Sequence, residues 1–277
     1  MMSFPPSLKQ ALWVSACALS ATLPAAPAQA IAFSESQSEI FFVNFSHAPF
    51  STATSTDTNT FTFTDNDLAI ANAEANAIFP DASVVGSLPI IAANRLFNEA
   101  FAPGGTSLAT ASSEASVVGD FWVDVASEPT VFSFDFIGFL DVFGVVDSSP
   151  TEQASASATI FWGIFDQTEE LPVLLDIFDL KAGLETFSDR DFLSLQTTEN
   201  IDLLPDLTAL DTDFGGTAES ARVNFAGSYQ RTFTTSRSLR LVEFKQGQAT
   251  ASVPEPSLML AMGIGGVALL RSRRRTK

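Results

Sequence analysis

The sequence contains few of the residues on which most catalytic and metal sites depend. Its 277 residues include one cysteine, one histidine and one tyrosine. A single cysteine excludes a disulfide scaffold and a thiolate zinc site, because each needs several thiols. A single histidine argues against a histidine-rich metal site and against a Ser-His-Asp hydrolase. The composition therefore points away from these classes before any motif is considered.

Basic residues are also scarce, with 14 lysines and arginines against 32 acidic residues and a net charge of −18. A chain with this charge is repelled by phosphate backbones, so nucleic-acid binding is not expected. Apolar residues are abundant, at 46% of the chain, and include 26 phenylalanines. This phenylalanine content argues against a largely disordered protein.

The first 30 residues have the order of features that is typical of a signal peptide. Lys9 is followed by an apolar run from Ala11 to Leu23, and Ala28-Gln29-Ala30 fits the small-x-small rule for signal peptidase. We therefore predict cleavage after Ala30. A buried N-terminal helix is the alternative, although the run is too short to span a bilayer comfortably. The single cysteine lies inside this segment, so the mature protein is expected to have none, which suits an oxidising compartment.

The C-terminal end combines a proline-rich motif, an apolar stretch and a basic cluster. The motif is Val253-Pro254-Glu255-Pro256, and the stretch Ser257–Leu270 follows it directly. At about 1.5 Å per helical residue the stretch covers roughly 21 Å, less than the roughly 30 Å hydrocarbon core. Its basic flank favours a short transmembrane helix with the body of the protein outside, because positive charge stays in the cytoplasm and long basic side chains can snorkel. The basic anchor consists of Arg271, Arg273, Arg274 and Arg275.

These three ordered features resemble the PEP-CTERM sorting signal, over about residues 253–277 only. The resemblance implies a protein exported in Gram-negative-type bacteria and processed by an exosortase, which recognises the Pro254-Glu255-Pro256 region and removes the tail. It also implies association with exopolysaccharide-producing bacteria. Proline prevents a helix from running through the motif and keeps it extended, as a peptidase cleft requires. An ordinary single-pass anchor is the alternative.

The body between the two tails is more acidic than the whole chain. Residues 31–253 keep 8 basic and 31 acidic side chains, so their net charge is 8 − 31 = −23. Apolar and polar residues alternate along much of this body, for instance at Phe132, Phe134 and Phe136. This period of two predicts half-buried strands. We therefore expect one all-β domain over residues 31–252, an antiparallel β-sandwich or jelly roll.

Several segments of the body have a less regular pattern. Leu68–Phe79 is alanine-rich but alternates strictly, which favours a strand over a helix. Leu171–Phe178 is expected to be a buried strand, Leu184–Leu195 to include a short helix and Asp202–Asp213 to be a loop. The serine- and threonine-rich segment at 51–56 is also interpreted as a loop. Further strands are predicted at Glu39–Phe45, Ser116–Val125, Thr159–Phe165, Ala221–Gln230 and Ser238–Phe244.

Candidate chemistry in the body is sparse. Carboxylates two residues apart can share a calcium ion, which prefers six to eight oxygen ligands. We predict Asp211 and Asp213 as the candidate calcium ligands. Similar pairs occur at 65–67 and 189–191, and solvated turn acids are the favoured alternative. Trp122 and Trp162 could stack on sugar rings, but both lie in apolar strands where packing is the simpler explanation. His47 is interpreted as a surface residue rather than a base.

The sequence thus predicts an exported surface or extracellular-matrix protein that is anchored transiently in the inner membrane and then processed. Signal peptidase and an exosortase are the expected partners, and extracellular polysaccharide is a further one. No cofactor is expected apart from the calcium hypothesis. A non-enzymatic structural or adhesive role is favoured, with a carbohydrate-binding module and a secreted hydrolase as alternatives.

Overall fold

A computed structural model describes residues 30–65, 68–80, 90–147 and 151–254. These residues form two antiparallel sheets and one short 3-10 turn, with no α-helix. The all-β, two-sheet prediction is therefore confirmed for the part of the chain that is described. Within the same ranges no helix is long and apolar enough to cross a membrane. The predicted signal peptide, apart from Ala30, and the predicted transmembrane helix lie outside the described residues.

The described chain contains thirteen strands. In chain order they are β1 (Ile31–Val43), β2 (Pro49–Thr64), β3 (Ile70–Ile78), β4 (Ala92–Pro103), β5 (Ser107–Val123), β6 (Thr130–Val146), β7 (Gln153–Asp166), β8 (Val173–Glu185), β9 (Phe192–Thr197), β10 (Ile201–Leu203), β11 (Ala209–Asp213), β12 (Ala218–Phe233) and β13 (Arg237–Val253).

The strands divide between a seven-stranded sheet A and a six-stranded sheet B. Sheet A has the order β10-β12-β6-β1-β4-β3, and β11 also pairs with β12. Sheet B has the order β2-β5-β13-β7-β8-β9. We call the end where β1 begins and β13 ends the base of the sandwich, and the opposite end the distal end.

The alternation seen in the sequence matches the burial of the strands. Phe132, Phe134 and Phe136 on β6 all point between the sheets and are buried. Along β1 and β5 nearly every second side chain is buried in the same way. The ambiguous alanine-rich segment is a strand, β3, which confirms that the period of two outweighs helix propensity at that position.

Leu171–Phe178 is a buried strand only in part, because β8 begins at Val173 and its first two residues are exposed. Three further local predictions are wrong. Leu184–Leu195 contains no helix, because it comprises the end of β8, a turn and the start of β9. Asp202–Asp213 is not only loop, since it includes most of β10, the 3-10 turn Pro205–Leu207 and β11. Ser51–Thr56 is part of the long edge strand β2. These elements are short or exposed on both faces, so they leave no clear hydrophobic alternation to detect.

The distal and middle parts of the interior are filled by aromatic rings. Trp162 on β7 is fully buried and stacks on Phe178 of β8, with ring centroids 5.7 Å apart and planes 3° from parallel. Phe134 and Phe136 from sheet A meet the same indole edge-on at 5.4 and 5.3 Å. Such offset and edge-to-face contacts are favourable, so this cluster is the main apolar contact between the two sheets.

The interior at the base is instead built from small side chains. A separate apolar cluster there contains two valines, Val146 and Val253, and otherwise only alanines. Its alanines are Ala32, Ala100, Ala102, Ala109, Ala154, Ala249 and Ala251. Because each alanine buries little apolar surface, this end gains less hydrophobic stabilisation than the aromatic end.

A buried polar layer separates the two apolar clusters. Glu243 and Lys245 on β13 both point inward and are fully buried, with Nζ and Oε1 4.0 Å apart. Asn94 on β4 donates from Nδ2 to Glu243 Oε2 at 2.5 Å, and its backbone oxygen accepts from Lys245 Nζ. Gly247 makes room for this layer, because a Cβ there would lie 2.4 Å from Asn98 Nδ2. The layer thus links β13 of sheet B to β4 of sheet A through charge-assisted hydrogen bonds.

The buried ion pair gives a testable prediction for stability. Lys245→Met alone should destabilise the fold by about 3–5 kcal/mol, because it leaves Glu243 buried without a counter-charge. The double variant Glu243→Gln/Lys245→Met should recover most of that loss. Denaturant unfolding of the full chain in mild detergent measures both. Gln248→Met, on the exposed face of the same strand, is the matched control and should change stability by only about 0.5 kcal/mol. A double variant that is as unstable as the single one would contradict this account.

Candidate functional site

The proline-rich motif begins where the central strand of sheet B ends. Val253 is the last residue of β13, lies opposite Ser107 of β5 and is only 3% exposed. Ser252 is held on both sides, by Leu108 of β5 and Gln153 of β7. Pro254 is exposed and follows directly. Of the predicted motif, Glu255 and Pro256 lie outside the described residues, as do the four arginines of the basic anchor.

The other end of the described chain reaches the same base. Ile31 is opposite Pro103 of β4, and Ala32 is opposite Val146 of β6. Ala30, the residue predicted to precede signal cleavage, is half-buried just before β1, while Ala28 lies outside the described residues. Both predicted membrane-directed segments therefore leave the domain from one end.

The predicted calcium pair lies on an exposed edge strand. Asp211 and Asp213 are both exposed on β11. Asp211 is opposite Arg222 of β12, whose Nε donates to Asp141 of β6 at 2.8 Å. Among the described residues no group of three or more acidic, histidine or cysteine side chains is placed so that it could hold a metal ion. The calcium hypothesis stays a prediction.

A buried acid that sequence reasoning missed lies near this strand. Glu219 on β12 is 1% exposed, and its carboxylate faces the backbone of Gly215 without a hydrogen bond of normal geometry within the described structure. Burial raises its pKa, and the charges of Asp191, Asp213 and Glu185 raise it further, against a lowering effect of the Gly215 backbone. Glu219 is the second residue of β12, so only the tertiary structure shows that it is buried among other acids.

A second buried acid, Asp176, accepts hydrogen bonds at both of its carboxylate oxygens. Asp176 Oδ1 accepts hydrogen bonds from Thr198 and Asn200 at 2.9 and 2.8 Å, and Oδ2 accepts from Tyr229 and Arg231 at 2.9 and 2.8 Å. Burial alone would raise the pKa of Asp176, but these four hydrogen bonds lower it overall. With both oxygens engaged, the carboxylate connects β8 of sheet B to β12 of sheet A and serves as a structural contact.

The two candidate tryptophans have different environments. Trp162 lies in the aromatic core, as the packing interpretation expected, so it is not accessible to a sugar. Trp122 is on the outer face of sheet B near the distal end and is 52% exposed. The two are not cross-strand partners, because β13 lies between their strands. His47 is half-buried, accepts or donates a 2.9 Å hydrogen bond with Ser46 and packs against Phe132.

Comparison with known proteins identifies one feature. Residues 252–275 match the PEP-CTERM protein-sorting motif, which confirms the resemblance seen in the sequence. The motif indicates an exported protein that is processed by an exosortase after a transient membrane anchoring. The match begins at Ser252, so its first two residues belong to β13. No curated protein matches the chain.

The environment of Glu219 gives a testable prediction. Because its pKa is raised in the folded state, Glu219 favours folding most below its unfolded pKa, and this contribution is lost as the pH rises through the folded value. Glu219→Gln should therefore raise the free energy of unfolding at pH 7, with a smaller difference near pH 4. Thermal unfolding of the full chain at both pH values measures this.

The matched control is Glu170→Gln, which removes one exposed charge at the distal end. An equal gain in the control would assign the effect to net charge rather than to burial.

Thermal unfolding of the full chain also tests the calcium hypothesis, because a ligand that binds only the native state must raise the melting midpoint. A midpoint that does not change between chelator and millimolar calcium would contradict a structural calcium site at Asp211 and Asp213.

Proposed function

We propose that the exported body is a non-enzymatic component of the cell surface or extracellular matrix, with a structural or adhesive role. The observation that carries the proposal is the sorting motif at the end of β13. The motif indicates export and processing. It is joined directly to an all-β domain whose net negative charge favours solubility in water.

The use of the polar side chains supports a structural role. Asp176 uses all of its hydrogen-bonding capacity to connect the sheets. Glu243 and Lys245 are sealed within the interior, where no substrate reaches them. Trp162, which a sugar-binding cleft would expose, is part of the core. These buried side chains therefore contribute to packing and to contacts between the sheets.

Replacing Pro254, Glu255 and Pro256 by alanine tests the processing step. We expect the uncleaved form to accumulate in the membrane fraction of exosortase-containing cells, because the extended recognition segment is lost. Immunoblotting of membrane and released fractions measures the ratio of the two forms. Ser272→Ala/Thr276→Ala is the matched control, since it changes the tail but leaves the Pro-Glu-Pro segment and the four arginines of the basic anchor intact. Normal processing of the triple variant would refute the sorting assignment.

Carbohydrate binding is a second candidate, favoured by the exposure of Trp122. The indole lies on the outer face of sheet B near the distal end, away from the sorting motif. Two residues before it, Asp120 accepts two hydrogen bonds from Arg240, at 2.7 and 3.1 Å. An exposed ring beside oriented polar groups is a suitable surface for a sugar ring.

This second candidate predicts a specific loss of affinity. Trp122→Ala should weaken binding to the producing cell's own polysaccharide roughly five- to tenfold, because one aromatic contact of about 1 kcal/mol or more is removed. Affinity electrophoresis or calorimetry with the purified protein measures the change. Phe61→Ala is the matched control, because Phe61 is an exposed aromatic residue on β2 nearer the base. Equal binding by wild-type protein and both variants would rule out Trp122 as the binding residue.

A further inference from the structure

The distance between the folded domain and the apolar C-terminal stretch is short. Val253 is buried in the domain, and the apolar stretch begins at Ser257, four residues later (257 − 253 = 4). Four extended residues span at most about 14 Å. The headgroup layer on one side of a bilayer is itself about 5–7 Å thick. While the tail is in a membrane, the base must therefore lie at or very near the headgroups.

The turns at the base carry exposed apolar side chains. Phe187 lies in the turn after β8, Phe214 in the turn between β11 and β12, and Leu68 between β2 and β3. Their side chains are 41–58% exposed. Thr186, beside Phe187, is fixed at the base by a backbone hydrogen bond from its nitrogen to Ala154. These side chains are thus presented on the same end from which Pro254 leaves.

Exposure alone does not distinguish the two ends, because Leu171 and Trp122 are also exposed near the distal end. The attachment of the tail does distinguish them. Ile31 begins at the base as well, so a chain that still carries its signal segment is attached to the membrane from the same end. Charge does not attract the base to anionic lipid, since Glu185, Asp191 and Asp213 lie in or beside these turns. Any contact must rest on the apolar side chains and the short attachment.

We propose that the base of the sandwich is a membrane-contacting surface, in which Phe187, Phe214 and Leu68 enter the headgroup layer of a zwitterionic bilayer while the tail is anchored. Apolar and aromatic side chains are stable at this interface, where the ring leaves water without entering the hydrocarbon core. The contact orients the sandwich with its distal end, including Trp122, away from the membrane. The inference rests on the anchoring indicated by the sorting motif.

Single-cysteine labelling tests this orientation. Cys17→Ser gives a cysteine-free full chain, into which Phe187→Cys or Phe214→Cys is introduced for a bimane label. The uncut chain is placed in nanodiscs of phosphatidylcholine, with or without brominated acyl chains. We expect at least twofold stronger quenching by the brominated lipid at both positions than at Leu171→Cys, the exposed distal control. Leu68→Cys is a further base position if either aromatic variant fails to fold.

Equal quenching at the base and distal positions would overturn the proposal. In a chain from which the signal segment has been removed, a 20-residue Gly/Ser insertion between Val253 and Pro254 should lower quenching at both base positions, because the C-terminal attachment alone no longer holds the base at the headgroups. Unchanged quenching in that variant would overturn the role assigned to the short attachment. The assay needs no exosortase, so its failure is distinct from a failure of processing.

Discussion

Hydrogen bonding of β13 to β5 on one side and β7 on the other is the constraint on which the rest of the structure depends. The pairing with β5 continues without a break from Arg237 to Val253. The inward side chains of this one strand contribute to every layer of the interior: leucines to the aromatic cluster, Glu243 and Lys245 to the polar layer, and alanines to the base. Because the strand remains in the sheet up to its last residue, the sorting motif begins without a linker.

The layered interior distributes stability unevenly along the sandwich. Large rings fill the distal and middle parts, where Trp162 contacts strands of both sheets. Alanines fill the base, where the sheets gain less from apolar burial. The base is also the end at which both tails attach. The alanine-rich part of the core is thus at the end from which the sorting motif leaves the domain.

The base and the distal end consequently have different roles in the proposed function. The base carries the sorting motif, the exposed turn residues and an acidic group centred on Glu219. The distal end presents Trp122 on a flat sheet face, at a distance from the anchor. An orientation with the base on the bilayer leaves this face accessible to polysaccharide or to neighbouring surface proteins. Processing would then release a domain whose exposed distal face is unchanged.

The sequence by itself determined the sorting motif and the all-β fold class. The sorting motif is local, because its proline, apolar and basic parts are consecutive, and the period of two at Phe132–Phe136 directly reflects alternate burial. Only the tertiary structure decided the environment of individual polar residues. Trp122 and Trp162 both follow a phenylalanine in an apolar strand, yet one faces solvent and the other the core. Glu219, Glu243 and Asp176 are ordinary acids in the sequence, and their burial depends on which strands become neighbours. That pairing joins residues far apart in the chain, so no local pattern encodes it.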